Sequence, residues 1–173
     1  MVALDMFLPL PQAFAVVCAL VVMLSGWLGV APAAYAQDNT VDYTLTDLSF
    51  RDFSGKQLSG TSFAAAEMRE ANFEKADLSK TILTKASFLR ANLAGANLAG
   101  TFADRVIFDG ADLSNAIFTD ALLTSSSFGD ANITGADFSG AIIDRFQTAQ
   151  MCKRADGVNE TTGMATRDSL GCR

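Results

Sequence analysis

The sequence predicts a β-solenoid, in which the chain winds into square coils of 20 residues with five residues on each side. A large apolar residue recurs at every fifth position from Tyr43 to Ile143, at 20 of 21 positions and without an insertion. A small residue stands two positions earlier: from Thr61 to Ala141, 12 of these 17 residues are alanine and none is larger than valine. A period of five fits neither the 3.6-residue period of a helix nor the two-residue period of a strand. It fits one flat side of a coil, followed by a corner.

Each five-residue unit is described here relative to its large apolar position, i. Positions i and i−2 are expected to point inward, and positions i−1, i+1 and i+2 outward. Successive coils are expected to stack about 4.8 Å apart, so residues 20 apart form columns. The four columns at position i are Tyr43, Phe63, Leu83, Ala103, Leu123 and Ile143; Leu48, Met68, Phe88, Phe108 and Phe128; Phe53, Phe73, Leu93, Leu113 and Ile133; and Leu58, Leu78, Leu98, Phe118 and Phe138. Burial of each side chain contributes about 1.5–3 kcal/mol before conformational entropy is subtracted.

Several units carry a family resemblance. The clearest are Ala71-Asn72-Phe73, Ala76-Asp77-Leu78, Ala91-Asn92-Leu93-Ala94-Gly95, Ala111-Asp112-Leu113 and Ala136-Asp137-Phe138-Ser139-Gly140. These units resemble the A(D/N)LxG-like units of pentapeptide-repeat proteins, and the resemblance extends over residues 41–145. It implies an all-β fold, a right-handed quadrilateral β-helix of about five coils and about 25 Å in length.

Two departures from the repeat call for separate expectations. In the first coil, Arg51 and Lys56 occupy i−2 positions. They are too long and charged for an inward slot, so this coil is expected to be distorted or open to solvent. Ala103 is the one small residue at position i, which predicts either a void beneath it or neighbouring coils that move closer together.

Residues 1–36 are expected to be a secretory signal peptide rather than part of the fold. Ala13 to Val30 is almost entirely apolar, and Ala34-Tyr35-Ala36 has the small-x-small pattern of a cleavage site before Gln37. The segment before the apolar run carries Asp5 and no lysine or arginine, which is atypical. The alternative is an uncleaved membrane anchor, since about 18 apolar residues can just span a bilayer.

Residues 146–173 leave the five-residue register and are expected to cover the open C-terminal end of the solenoid. Phe146 to Arg154 favours a short helix, and Thr166 to Leu170 a helical turn with Thr166 as its N-cap. Cys152 and Cys172 lie in this segment, so they predict a disulfide bond if the compartment is oxidising. A redox-active role for the pair is the alternative.

The C-terminal segment resembles the tail of thylakoid-lumen pentapeptide-repeat proteins, on Met151-Cys152, Gly163 and the residues from Thr166 to Cys172. The resemblance implies a thylakoid lumen. A single short signal sequence favours a cyanobacterium over a plant, and a bacterial periplasm is the alternative compartment.

The composition favours no catalytic, cofactor or metal site. The chain has no histidine, the commonest general base and metal ligand, and its net charge is −6. A net acidic chain argues against binding to nucleic acid or to an anionic membrane. Carboxylates of the array are interpreted as a solvated surface rather than acid/base pairs: Glu67, Asp77, Asp104, Asp109, Asp112, Asp120 and Asp130.

One outer face departs from the polar pattern. The i−1 residues of four consecutive coils are apolar there: Ile82, Phe102, Leu122 and Ile142. The opposite face is polar throughout, with Asp52, Asn72, Asn92, Asp112 and Asn132 at the same position. An exposed apolar stripe on a solenoid marks a contact surface. It is expected to bind a protein partner or a second copy, or to pack against the chain's own terminal segment.

These features favour a non-enzymatic, exported scaffold or protein-interaction module without cofactor or small-molecule substrate. Membrane association is expected only if residues 1–36 stay attached. A DNA-mimicking inhibitor of type II topoisomerases, as other pentapeptide-repeat proteins are, is one alternative. The export signal and a mature net charge near −5 (13 basic against 18 acidic residues after loss of Asp5) argue against it. A lumenal protein regulated by its thiol pair is the other alternative.

Overall fold

A computed structural model describes residues 41–173, and within them the predicted solenoid is confirmed. Isolated parallel β-bridges join each i−1 residue to the residue 20 positions later, from Asp42↔Ser62 to Leu122↔Ile142. Four such bridges occur per coil, one on each side, so the coil is four-sided. The strands of residues 41–143 are single bridge residues separated by turns. Two helices follow, α1 (Arg145–Met151) and α2 (Thr166–Ser169). The expected signal peptide lies outside the described residues.

None of the helices between residues 41 and 173 has the length and apolar character needed to cross a bilayer.

Most five-residue units make the same set of backbone hydrogen bonds. The N–H of Phe63 donates to the carbonyl of Ile82 on the next coil at 2.8 Å, and the N–H of Ile82 donates back to Thr61 at 3.1 Å. A turn within the coil is closed by the N–H of Ala66, which donates to Phe63 at 3.0 Å. Because these bonds recur on every side, position i and position i−2 both point inward between Thr61 and Phe138.

The core consists of the predicted columns. From Phe63 to Phe138 every residue at position i is buried, and so is every i−2 residue from Thr61 to Ala136. Rings 20 residues apart stack nearly parallel, as in Phe88 and Phe108, whose centroids are 5.4 Å apart. Rings in neighbouring columns meet edge to face, as in Phe108 and Phe118 at 5.7 Å. Both geometries are favourable for aromatic pairs.

The corners have a backbone conformation that the repeat pattern does not reveal. Every i+2 residue from Leu45 to Gly140 has a positive φ, between about +50° and +75°; thirteen of them are not glycine. A side chain at positive φ is unfavourable by about 1–2 kcal/mol. The turn is nevertheless kept, because its hydrogen bonds and the ladder to the next coil depend on it.

The two departures from the repeat have different outcomes. The first coil keeps the regular hydrogen bonds, for example Phe53 N–H to the carbonyl of Asn72 at 2.7 Å, so it is open to solvent rather than distorted. Arg51 and Lys56 are exposed. At Ala103 the coils do not move closer: its N–H donates to Leu122 at 2.8 Å, an ordinary ladder distance.

The C-terminal segment packs on the last coil. Helix α1 begins at Arg145 and is close to the expected helix. The prediction of Thr166 as the N-cap of α2 is wrong, since Ala165 holds that position. Ala165 forms an antiparallel bridge with Val158, which keeps the chain extended through residue 165, so the helix starts one residue later. The disulfide between Cys152 and Cys172 is present, with a Cα–Cα distance of 5.6 Å.

Residues Asn39–Arg173 form one compact unit. Among the described residues, the buried hydrophobic cluster runs from Leu48 to Leu170. Coil-to-coil hydrogen bonds and the disulfide also lie within this region. A chain that starts at Gln37 therefore retains the whole described core.

Candidate interaction surface

The apolar i−1 residues Ile82, Phe102, Leu122 and Ile142, here called the outer stripe, lie in one line on one face. Successive members are joined by parallel bridges, Ile82↔Phe102, Phe102↔Leu122 and Leu122↔Ile142. Adjacent members are therefore one coil spacing apart, about 4.8 Å. The same face begins with two polar residues, Asp42 and Ser62, so only its C-terminal part is apolar.

The outer stripe is exposed. The exposed fraction is 44% for Ile82, 56% for Phe102 and 60% for Ile142, while Leu122 is half-buried. The described C-terminal segment does not cover it, so that form of the terminal-segment expectation is wrong. That segment packs instead on the end of the solenoid. The N-terminal segment, the other expected cover, lies outside the described residues.

The outer stripe is held in place by the backbone ladder rather than by its side chains. The N–H of Phe102 donates to the carbonyl of Thr81 at 3.0 Å, and the carbonyl of Phe102 accepts from Leu83 at 2.8 Å. Inward side chains on both sides of Phe102, Thr101 and Ala103, are fully buried. The apolar surface is thus presented on a rigid support, which lowers the entropy lost on binding.

Charges border the outer stripe in an uneven pattern. Beside Ile82, at the two corners of the face, stand Lys80 and Lys85; both are exposed. Beside Leu122 stand Asp120 at one corner and, at the other, Asp144, whose Oδ2 accepts the N–H of Ser125 at 2.6 Å. Ile82 is therefore bordered by cations and Leu122 by carboxylates. None of these four charged side chains forms a salt bridge within residues 41–173.

At the middle of the stripe, beside Phe102, the charges are already paired. The Nε of Arg105 donates to Oδ2 of Asp104 at 2.7 Å. The Oγ1 of Thr124 donates to Oδ1 of the same carboxylate at 2.8 Å. These hydrogen bonds, from Thr124 first and then from Arg105, hold the pKa of Asp104 below its usual value. The centre of the face is thus close to neutral.

The opposite face is a polar ladder without an apolar contact surface. The Nδ2 of Asn72 donates to Oδ1 of Asp52 at 3.0 Å, and the Nδ2 of Asn92 donates to Asn72 at 3.0 Å. Each carbonyl or carboxylate oxygen also accepts the N–H two residues ahead, as Asn92 does from Ala94 at 3.1 Å. These side chains therefore stabilise their own corners, and their hydrogen-bonding capacity is used within the fold.

Carboxylates of the array accept hydrogen bonds from neighbouring N–H groups and hydroxyls. Within residues 41–173 no three or more Asp, Glu or Cys side chains are grouped so that they could hold a metal ion. Oδ1 of Asp109 accepts the N–H of Gly129 at 2.6 Å. The pKa of Asp52 is lowered by the N–H and hydroxyl of Ser54, which keeps it ionised. A general acid needs the opposite shift.

The C-terminal segment is fastened by two polar side chains that the sequence pattern does not single out. Asn159 is buried, and its Nδ2 donates to the carbonyls of Gly135 at 2.8 Å and Asn115 at 3.1 Å. Arg154 donates through Nε to Ala131 at 3.1 Å and through a second nitrogen to Phe128. Both side chains satisfy carbonyls of the final coils. Asn159 falls in a turn-like stretch of sequence, so no local signal separates it from an ordinary surface asparagine.

Other exposed apolar residues lie outside the outer stripe, among them Ile107 and Phe146. Ile107 is 42% exposed on the adjacent face, where Ser87 and Ser127 flank it in its column. Phe146, in α1, is 69% exposed. The apolar i−1 residue Ile107 is visible in the sequence, but a single apolar residue between two serines forms no column. The outer stripe is the longer run.

The chain belongs to the pentapeptide-repeat family. The family model for pentapeptide repeats matches eight copies over residues 44–79, 71–110 and 104–140. This family has the right-handed quadrilateral β-helix, and the four-sided ladder of residues 42–142 agrees with it.

Among solved structures, the chain is similar to a pentapeptide-repeat protein from the thylakoid lumen of Arabidopsis thaliana. The identity is 41%, over 73% of this chain and 88% of that one, with a TM-score of 0.48. HetL from the cyanobacterium Nostoc sp. strain PCC 7120, which is involved in the regulation of heterocyst differentiation, is 27% identical over 57% of this chain and 49% of that one, with a TM-score of 0.46. The plasmid-mediated fluoroquinolone resistance protein QnrB1 is 23% identical over 63% and 65%, with a TM-score of 0.45. Comparison with curated proteins gives no match.

Proposed function

We propose that the chain is a non-enzymatic protein-interaction scaffold that binds through the outer stripe. The observation that carries this proposal is the alignment of three exposed large apolar side chains, Ile82, Phe102 and Ile142, on a rigid ladder. Exposing them is unfavourable in an isolated soluble protein, and the other faces show that the fold accepts Asp, Asn or Ser at this position. Contiguous apolar surface of this kind marks interaction sites.

The test is capture of binding partners with the chain from Gln37 onward as bait. Replacing Phe102 and Leu122 with Asp is expected to abolish capture while the melting temperature stays within a few degrees of the parent. A matched control replaces Asn92 with Asp on the opposite face, at the same position in its unit. Capture that survives the stripe change but is lost with Asn92→Asp would refute the proposal.

The C-terminal segment is proposed to act as the cap of the solenoid, held by the Cys152–Cys172 disulfide. Support comes from Asn159 and Arg154, whose side chains donate hydrogen bonds to carbonyls of the last coils. The Oγ of Ser169 also accepts the N–H of Phe138 at 3.0 Å. Unpaired ladder edges promote aggregation. Deleting residues 146–173 is therefore expected to cause aggregation; a deleted chain that stays monomeric and melts normally would contradict a capping role.

The protein is proposed to be exported to an oxidising compartment, specifically the thylakoid lumen of a cyanobacterium. The disulfide supports export, because such bonds persist in oxidising compartments. The Arabidopsis relative with 41% identity comes from the thylakoid lumen, and we extend that compartment to this chain. Fractionation of native cells with N-terminal sequencing tests this. A mature terminus at Gln37 in the lumen is expected; recovery from the periplasm would favour the alternative compartment, and recovery from the cytosol would exclude both.

A topoisomerase inhibitor that mimics DNA is the weaker candidate, for a reason visible on the surface. DNA carries regularly spaced negative charge along its whole length. Here the four corners of one coil carry Lys75, Lys80, Lys85 and Arg90, a ring of cations that interrupts the acidic residues. A gyrase supercoiling assay is expected to show no inhibition at micromolar protein.

A further inference from the structure

We propose that the outer stripe binds the outer stripe of a second copy of this chain, with the two solenoid axes antiparallel. This rests on the proposed function, because it names the partner of the same surface. The stripe residue Phe102 lies close to the two-fold axis and packs on Phe102 of the second copy. Ile82 packs on Leu122 of the second copy, one coil away on either side of the axis.

The charges beside the stripe favour this arrangement. In this arrangement the two-fold axis lies in the plane of the contact and runs along the strand direction. Each corner of the face then meets the same corner of the second copy, and the coils of the two copies run in opposite order. Lys80 then faces Asp120 of the second copy at one corner. At the other corner Lys85 faces Asp144 of the second copy. The two-fold axis repeats both contacts, so four charge pairs surround the apolar centre. All four side chains are exposed, and none of them forms a salt bridge within the described residues.

The parallel arrangement is disfavoured by the same charges. A two-fold axis along the solenoid keeps the order of the coils and places opposite corners together. Lys80 would then face Lys85 of the second copy, and Asp120 would face Asp144. Like charges at this distance repel, which makes the charge pattern a determinant of orientation.

The centre of the face is compatible with close approach. The axis brings Arg105 near Arg105 of the second copy, but each guanidinium already donates to its own Asp104 at 2.7 Å. Two neutral ion pairs meet there rather than two free cations. At each end of the contact, Ser62 of one copy faces Ile142 of the other, and neither side chain carries a charge.

The contact is small, which sets the conditions of the test. One face of about five coils buries less area than the roughly 800 Å² per partner of a standard stable interface. The dimer is therefore expected at high protein concentration and low salt, and it is expected to weaken as salt screens the four charge pairs.

The test is sedimentation velocity of the chain from Gln37 onward, over a concentration series that extends into the millimolar range. Lys80→Asp and Asp120→Lys are each expected to reduce dimer formation about tenfold or more. The chain that carries both changes is expected to recover it, because the charges are exchanged across the axis. Arg90→Asp, at a corner of the same coil that does not border the stripe, is the matched control and should leave the dimer intact. Melting temperatures check that every variant folds.

Orientation is tested by cross-linking. A mixture of Ile82→Cys and Leu122→Cys chains is expected to form a disulfide between the two variants. A parallel dimer would instead link each variant to itself, which would overturn the antiparallel proposal. Failure of the double charge exchange to restore the dimer would also overturn it.

The outcome separates this inference from the proposed function. If the parent chain stays monomeric at every concentration, and capture of another protein depends on Phe102, the proposal of a dimer is refuted and the scaffold proposal stands. If the parent chain stays monomeric and capture is indifferent to the stripe, both proposals fail.

Discussion

The hydroxyl of Ser126 is inserted into a corner of the preceding coil, next to Ala103. Its Oγ donates to the carbonyl of Ala103 at 2.5 Å and accepts the N–H of Val106 at 2.9 Å. In a regular unit that N–H donates directly to the carbonyl, as Ala66 does to Phe63. The small residue at position i and the serine at position i−2 of the following coil are thus parts of one local arrangement.

Replacing Ser126 with alanine, the commonest residue at that position, is expected to destabilise the protein. The change removes two buried hydrogen bonds, each worth about 0.5–1.5 kcal/mol, so a loss of about 1–2 kcal/mol is expected in urea unfolding. Ser127→Ala, on the outer face one residue away, should change the free energy of unfolding by less than about 0.5 kcal/mol. A stabilised Ser126→Ala chain would mean that the corner closes directly, as in other units.

Asn159→Ala is expected to cost about 2–4 kcal/mol. The buried Asn159 amide donates to the carbonyls of Gly135 and Asn115, which the change leaves without that donor. The change also removes the acceptor of the Thr161 and Thr162 N–H groups. The measurement is urea unfolding with the disulfide intact. Asn132→Ala is the control, since its side chain is exposed on the polar ladder. Equal losses in the two variants would contradict the special role of the buried amide.

Glu70→Gly is expected to stabilise the protein by about 0.5–1 kcal/mol. Glu70 is exposed and has a φ of +54°, where glycine avoids the strain of a side chain although it raises the entropy of the unfolded chain. Arg69→Gly, one residue earlier and without a positive φ, should destabilise instead. Thermal unfolding of both variants checks the prediction, which fails if their effects have the same sign.

Stability is expected to fall on acidification. Burial of Asp137 opposes its ionisation, but hydrogen bonds from the hydroxyl and N–H of Ser139 and from Thr162 outweigh this and lower its pKa. The pKa values of Asp42 and Asp47 are lowered by hydrogen bonds from Thr44 and Ser49.

A folded-state pKa below the unfolded-state value stabilises the protein above the unfolded pKa of about 3.9, and the contribution disappears as pH falls through the folded pKa. Urea unfolding between about pH 6 and pH 2 should therefore show stability lost below about pH 5. Asp137→Asn should give a shallower fall. A pH profile that is unchanged in this variant would contradict the assignment to Asp137.

Loss of the Cys152–Cys172 disulfide is expected to cost about 3 kcal/mol, because it closes a loop with a sequence separation of 20 residues. Differential scanning calorimetry of the chain with both cysteines changed to serine measures this. If the same chain binds the partner of the outer stripe as the parent does, the bond is structural. A change in partner binding on reduction, without a change in melting temperature, would favour the thiol-regulated alternative.

The repeat makes the core predictable because a five-residue period admits one arrangement of inward and outward positions. Phe108 and Ala111 can be assigned to the interior by counting along the chain, and the alignment of Ile82 with Phe102 follows in the same way. The disulfide is predictable for a simpler reason: two cysteines lie in the segment that follows the repeats.

Other features depend on contacts between residues far apart in the chain, which counting does not reveal. Asn159 lies 24 residues beyond the Gly135 carbonyl that it binds, and Ser126 acts on a corner of the previous coil. The start of α2 differs from the expected one because an antiparallel bridge to Val158 competes with local capping by Thr166. The charges beside the outer stripe acquire meaning only when the coils place Lys80 and Asp120 along one corner.

The four-sided solenoid, its buried columns and the line of apolar residues on one face therefore follow from the amino-acid sequence. Those features are periodic, and each unit repeats the same local energetics. Contacts in the folded chain set which irregularities are accommodated, how the C-terminal segment packs on the last coil and which charges border the apolar face. These depend on the three-dimensional distance between units, because hydrogen bonds and charge pairs act over a few ångströms, regardless of separation along the chain.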